Sequence, residues 1–346
     1  PNIAYSEWQQ GNLMRFDRAT GEVVYVKPQP DEGADEERFN WDAPILVSSH
    51  DPARLYFASQ RVWRSDTRGD DWKAVSGDLS HGTARFQEPI MGEVWGPEAA
   101  WDTYAMSRFG TITSLAESPL EDGILWAGTD DGRIHVTENG GGSWRAIDAL
   151  PGVPAGFFVN DVKADRFNRA TAYVVVDDHK NGDFSPYVLK TTNLGASWTK
   201  ITTGIPERHI AWRIIQDHVD PNLLFLGTEF GVFSSLDGGA GWQPLQGGMP
   251  TIPVRDLEIQ QRENDLVCAT FGRGFYVLDD YSSLRGLSAD TLAKEAELFP
   301  VRDALWYLPK RPLGASAPMG RASQGDALFV APNPDFGAVF TYHLGQ

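Results

Sequence analysis

One cysteine, Cys268, stands among 346 residues. No disulfide can form within the chain, and the apolar setting Leu266-Val-Cys-Ala269 reads as core rather than as a redox centre. Basic residues are also scarce. Thirty Lys and Arg against 47 Asp and Glu leave a net charge of −17, a field that opposes a phosphate backbone and argues against nucleic acid as a partner. No apolar run approaches the ~20 residues that a membrane-spanning helix needs. The seven histidines show no H-x-H or H-E-x-x-H spacing, so no zinc motif is legible. No Ser/His/Asp triad can be nominated from residue order.

Turn formers and aromatics are plentiful instead. The 35 Gly, 22 Pro, 12 Trp and 18 Phe describe many short strands joined by turns. Four copies of one turn recur, at residues 64–72, 136–144, 190–198 and 234–242. Aligned on the tryptophan they read hydroxyl, any, short polar, any, Gly, any, any, Trp. The copies are Ser65, Thr67, Gly69 and Trp72; Thr137, Asn139, Gly141 and Trp144; Thr191, Asn193, Gly195 and Trp198; and Ser235, Asp237, Gly239 and Trp242. The third-position side chain accepts loop N–H groups, the glycine supplies a positive φ and the tryptophan covers the hairpin. Thr67 offers only a hydroxyl, so the neighbouring Asp66 or Asp70 is expected to take over its capping bond. These residues read as structural staples without chemistry of their own.

The shortest step, Trp198 to Trp242, matches the ~40 to 50 residues of a four-stranded propeller blade. Between staples the chain repeats strand, polar turn, strand, tight loop, strand, as in residues 213–218, 223–226 and 232–235. The pattern predicts an all-β fold: a partial β-propeller of about six four-stranded antiparallel blades or part-blades over 1–286. A helical linker at 287–298 and the beginning of a β-sandwich-like domain at 299–346 follow, with strands at 304–308, 327–330 and 338–342. The part-blades at either end imply further blades upstream. The insertion at 80–109 is apolar enough to pack over a blade, with a lid as the rival reading.

The staple resembles the Asp-box, or bacterial neuraminidase repeat, of sialidases, sortilin-type receptors and two-propeller xyloglucanases. Residues 38–44 (Arg-Phe-Asn-Trp-Asp-Ala-Pro), His218-Val-Asp-Pro-Asn222 with Gly227-Thr-Glu-Phe-Gly231, and the run from Ala269 to Asp280 look like the last propeller of a large bacterial group. That group carries two such propellers and a C-terminal β-domain, and is described as sortilin-like or glycosyl-hydrolase-like. The resemblance covers nearly the whole chain. It implies export to the periplasm, cell surface or medium, and brings no agreed activity.

In a propeller, the loops joining second to third strands and one blade to the next crowd one face, where a ligand is expected. The candidates there are Glu7, Asp130, Asp131 and Glu229 as carboxylates, and Trp8, Arg38, Asn40, Trp41, Arg255 and Arg273 as ligand-binding groups. The arginines are equally readable as scaffold ion pairs, Arg255 or Arg273 with Asp256 or Glu229, and Trp41 as core. A glycosidase needs two carboxylates ~5 to 10 Å apart; the sequence does not fix such a distance. The loop from Asp177 through Asn181 to Asp183 resembles half a calcium loop, yet its twelfth position is Val188 rather than glutamate, and a hairpin tip explains it better. No cofactor is expected otherwise. A rigid binding or assembly module for a protein, peptide or glycan is the favoured function, and a polysaccharide-cleaving glycoside hydrolase is the alternative.

Overall fold

The computed structural model describes residues 2–345 except 31, 35, 84–86, 88, 91, 97, 100–107, 305 and 309–335. The chain divides into two compact units, Pro1–Tyr281 and Ser282–Gln346. The first is the expected all-β propeller. Six antiparallel sheets follow one another in chain order, each strand paired with its sequence neighbour. Blade 1 comprises Ile3–Trp8, Asn12–Asp17 and Val23–Tyr25. Blade 2 comprises Ile45–Val47, Leu55–Ala58, Val62–Ser65 and Lys73–Ala74. Blade 3 comprises Ile112–Glu117, Leu125–Thr129, Ile134–Thr137 and Arg145–Ile147. Blade 4 comprises Phe158–Ala164, Ala172–Asp178, Asp183–Thr191 and Thr199–Lys200. Blade 5 comprises Ala211–Gln216, Leu224–Thr228, Gly231–Ser235 and Gln243–Pro244. Blade 6 comprises Val254–Gln260, Asp265–Thr270 and Phe275–Leu278.

The core lies between blades. Trp126 and Ile134 of blade 3 pack on Val159 and Val174 of blade 4, and Tyr173 and Val175 of blade 4 on Leu224, Leu226 and Trp242 of blade 5. A strand covered on both faces loses its inside-outside alternation. Leu55–Ala58, Leu125–Thr129 and Ala172–Asp178 are accordingly buried at every position. Ile3–Trp8 in blade 1 alternates half-buried with exposed.

The four repeated turns form one clasp. In each, the first-position hydroxyl accepts the glycine N–H, at 2.8 Å for Ser65 and 2.9 Å for Ser235. The third-position side chain accepts the N–H four residues on, from Ser143 to Asn139, Ser197 to Asn193 and Gly241 to Asp237, all at 2.9 Å. Thr67 does this itself, taking the Asp71 N–H at 2.9 Å. The expected substitution by Asp66 or Asp70 does not occur, because Asp66 pairs with Arg54 and Arg64, and Asp70 with Arg15. A threonine hydroxyl reaches the same N–H as an amide oxygen.

Each clasp grips the preceding blade. Trp72 donates its indole N–H to the Val26 carbonyl at 2.7 Å, Trp144 to Val75 at 2.9 Å and Trp242 to Ile201 at 2.8 Å. The glycines press on the same residues. A Cβ on Gly239, at φ +96°, would meet Ile201 Cδ1 at 2.6 Å, and one on Gly141, at φ +95°, would meet the Val75 carbonyl oxygen at 2.2 Å. Trp198 differs, since its indole nitrogen is buried without a partner among the described residues and its ring packs edge-on against Trp126. Buried side chains pin blades elsewhere. Glu117 of blade 3 accepts Ser48 Oγ at 3.0 Å and the Ser49 N–H at 2.9 Å from the end of the first strand of blade 2. Asp161 of blade 4 accepts the Ile214 N–H of blade 5 at 3.1 Å. Cys268 is buried in blade 6, and burial pushes its thiol up to about 11.

In the second unit, Ser288 caps a single helical turn, Ala289–Leu292, by accepting the Thr291 N–H at 3.1 Å. The helix is shorter than the expected linker because Ala296–Leu298 is drawn into a strand paired with Tyr342–Leu344. The described part of 304–308 has no strand, 327–330 lies outside the described residues, and the strand expected at 338–342 starts only at Tyr342. Much of the 80–109 insertion also lies outside them; a short hairpin, Pro89–Ile90 with Glu93–Val94, is present. Among the described residues, no helix is long and apolar enough to cross a membrane.

The clasp predicts unequal roles for two tryptophans. Trp242→Phe removes the bond to Ile201 and leaves its carbonyl short of a donor, costing about 1–3 kcal/mol. Trp198→Phe removes an N–H that has no partner and costs less. Urea denaturation of both variants checks the order.

Candidate functional site

The turns between second and third strands and the links between blades share one face, opposite the staples. Most of the nominated carboxylates turn inward to hold these links. Asp130 accepts the Thr111 N–H at 2.8 Å and the Thr111 hydroxyl at 2.7 Å, with Asn40 Nδ2 at 3.5 Å. Asn40 also donates to Thr111 Oγ1 at 2.9 Å, so the link between blades 1 and 2 is tied to blade 3. Asp131 accepts Thr129 Oγ1 at 2.6 Å and the His81 N–H at 2.7 Å. Glu7 accepts the N–H groups of Gly11 at 2.7 Å and Ala43 at 3.1 Å. Arg38 is similarly engaged: its guanidinium donates to Asp78 at 2.6 Å, to Ser80 Oγ at 3.1 Å and to the Gly110 carbonyl at 3.2 Å. These five side chains fasten the face together.

Burial raises two of these carboxyls. Asp130, almost wholly enclosed, is pushed up to about 7 against the bonds from Thr111, and Glu7 is likewise raised to about 7 by burial against its two backbone donors.

Of the remaining candidates, Glu229 and Arg255 line an open groove of about 560 Å³ beside the rims of blades 4, 5 and 6, and Trp8, Trp41 and Arg273 lie outside it. Trp212 organises it. Its indole N–H donates to Glu229 Oε2 at 3.0 Å, the Arg255 guanidinium lies over its ring at 3.6 Å and His179 meets its edge at 6.0 Å. His179 is itself held through Nδ1 by buried Asp177, whose other oxygen accepts Asn160 Nδ2 at 2.8 Å. Those bonds hold Asp177 below the usual carboxylate range, although burial opposes them. On the far wall His209 packs edge-on against Phe230 at 4.8 Å, and Arg208 lies over Phe184 at 5.2 Å. A smaller recess of about 110 Å³, bordered by Asp42, Asn160 and Arg213, shares Trp212 and Arg255 with the groove.

Arg255 and Arg273 do not form the ion pairs weighed for them. Asp256 goes to Arg213 at 3.4 Å instead, and Arg273 is exposed at the rim of blade 6. Trp41 is 38% exposed rather than core, and Trp8 is 57% exposed. In the 177–183 hairpin, Asn181 donates to Asp178 at 2.6 Å and Asp183 accepts the Tyr187 hydroxyl at 2.6 Å. Among the described residues, no three His, Cys, Asp or Glu side chains gather as metal ligands.

Residues that sequence reasoning passed over supply much of the groove: His179, Phe184, Arg208, His209, Trp212 and Phe230. One signal was available. Phe230 and Phe271 sit at the tips of tight turns, between Glu229 and Gly231 and between Thr270 and Gly272, where polar residues are the rule. They are 49% and 74% exposed.

No family model matches the chain. Over 251 residues it is 24% identical to an oligoxyloglucan-reducing end-specific xyloglucanase from Emericella nidulans, a stretch that is 71% of this chain and 26% of that protein. Its fold is similar to that of the GH74 xyloglucanase from Xanthomonas campestris, with a TM-score of 0.57 at 20% identity, covering 80% of this chain and 42% of the other. The chain thus spans less than half the length of either relative. The structural likeness establishes a common propeller architecture.

The raised carboxyls give a pH test. Asp130 binds its proton more tightly in the folded state (about 7) than an unfolded aspartate does, at ~4. Its contribution to stability is therefore lost as pH climbs from ~4 to ~7. Asn in its place is always neutral, so Asp130→Asn destabilises less at pH 8 than at pH 5. Thermal unfolding of both proteins at the two pH values reads the difference.

Proposed function

We propose that this chain is the propeller portion of an exported, polysaccharide-acting glycoside hydrolase, which holds a glycan along its loop-rich face. One observation carries the reading: an open groove in which an exposed aromatic ring, Phe230, stands next to a carboxylate, Glu229, that the Trp212 N–H fixes in place. Sugar recognition asks for this combination, an apolar platform for the ring face and polar groups for the hydroxyls. Weak similarity to a xyloglucanase over most of the chain favours this reading over a module without catalysis.

The roles follow from chemistry. Hydrolysis of a glycosidic bond takes one carboxylic acid to protonate the leaving oxygen and a second carboxylate to activate water or attack the sugar. Glu229, fixed by Trp212, and the exposed Glu207 are the carboxylates lining the groove, and Asp42 borders the adjoining recess. Glu7, Asp130 and Asp131 are occupied by the links they hold, which leaves them a scaffold role. Further blades outside this chain would complete the cleft, in keeping with the greater length of both relatives. Export accords with a substrate too large to enter a cell.

Incubating the intact protein with a panel of soluble plant polysaccharides, xyloglucan among them, and measuring new reducing ends tests this. Turnover on at least one glycan, falling at least about 100-fold in Glu229→Gln with the fold retained, is the expected result. Binding without any cleavage would return the chain to the binding-module reading.

A further inference from the structure

Arg255 and Glu229 are close enough to act on each other electrostatically, yet they do not pair. Both are bound to Trp212 instead, the carboxylate on the indole N–H at 3.0 Å and the guanidinium on the ring face at 3.6 Å. Among the described residues the Arg255 guanidinium has no ion pair and no hydrogen bond, and its side chain is exposed at the point where the groove meets the recess. This is unusual company for an arginine in a chain with 47 acidic and 30 basic residues. Several other arginines of the face are paired, Arg38 with Asp78, Arg213 with Asp161 and Asp256, and Arg133 with Asp148, while Arg273, like Arg255, has no ion pair among the described residues.

Two carboxylates, Glu207 and Glu229, also line the groove, but its other basic groups lean the same way as Arg255. Arg208, at φ +62° in a backbone conformation that non-glycine residues rarely adopt, lies against Phe184 with no carboxylate partner among the described residues. The Nδ1 of His209 is buried without a hydrogen bond among the described residues. The acidic groups acting on Arg255 are Glu229, Asp177 and Asp42, with Arg213 opposing. Asp177 is taken up by His179 and Asn160, and Glu229 by Trp212. A planar guanidinium with five N–H donors, fixed by stacking and left open to solvent, matches a carboxylate in two-point contact.

We propose that Arg255 is the anion-recognising element of a subsite for a carboxylate-bearing sugar, so that the glycan held in this groove contains uronic acid. This rests on the glycan reading above and narrows it to acidic polysaccharides. The carboxylate of the uronate takes the guanidinium edge, its ring lies toward Phe230, and the neutral hydroxyls meet Glu229 and His209. Trp212 prevents the collapse of Arg255 onto Glu229 that would otherwise fill the site.

A matched pair of ligands tests the idea: a β-1,4-linked oligoglucuronate and the cello-oligosaccharide of the same length and linkage, titrated calorimetrically into the intact protein. The uronate is expected to bind at least about tenfold more tightly, as a charge-assisted contact requires. The ratio should fall to about one in Arg255→Gln, recover in part in Arg255→Lys, and persist in Arg262→Gln, which removes the same charge from an exposed residue at the other end of the blade 6 strands. A sulfated cello-oligosaccharide that binds as tightly as the uronate would overturn the carboxylate assignment. Equal affinity for the uronate and its neutral match, or a preference that survives Arg255→Gln, would overturn the inference while leaving the glycan reading in place. Binding of neither ligand, nor of any polysaccharide in the hydrolysis panel, would remove both.

Discussion

The contact on which this fold depends is the grip of one blade's staple on the end of the blade before it. The tryptophan N–H reaches the carbonyl of Val26, Val75 or Ile201, and the glycine of the same turn lies close against that same residue. A sheet has two apolar faces here and cannot be stable alone, so the clasp must set both the distance and the angle at which the next sheet stacks. The requirement for glycine is steric as well as conformational. At Gly141 a Cβ would run into the Val75 backbone carbonyl, whereas at Gly239 it would meet the movable Cδ1 of Ile201.

Side chains tie the opposite face as well, and a set of buried polar groups gathers there. Asn40, Asp130 and Thr111 join the links of three blades, and Asp131, Arg38 and Glu7 fasten adjoining segments. The cost of desolvating those carboxyls is visible in the raised values of Asp130 and Glu7. Rigidity obtained in this way lowers the ordering cost of binding. It also holds the groove around Trp212 open, where Glu229 and Arg255 are kept apart by the indole they share.

How far the sequence was legible follows from how local each signal is. The hydroxyl, polar residue, glycine and tryptophan of the staple lie within nine residues, and all four copies fold as hairpin caps. The reach of the tryptophan to the preceding blade was not legible, because the partner is a backbone carbonyl 41 to 69 residues away that carries no side-chain mark. The same distance problem governs the site. Glu7, Arg38, Asp130 and Asp131 were polar residues on the correct face, but which of them faced a ligand and which a neighbouring link depended on contacts up to 90 residues apart. Arg255 and Glu229 were found on polarity alone, whereas their separation by Trp212 needed the fold. The linker helix is shorter than expected for a different reason, since good helix formers at 296–298 yield to strand pairing with Tyr342–Leu344.

On the proposed reading, the staples build a scaffold whose opposite face holds a glycan at the Trp212 groove. Determining the structure of the protein with a bound oligosaccharide tests it most directly. A sugar ring against Phe230, with polar contacts to Glu229 and Arg255, is the expected result. A sugar bound on the staple side, or a groove left vacant while sugar occupies another part of the propeller, would contradict it.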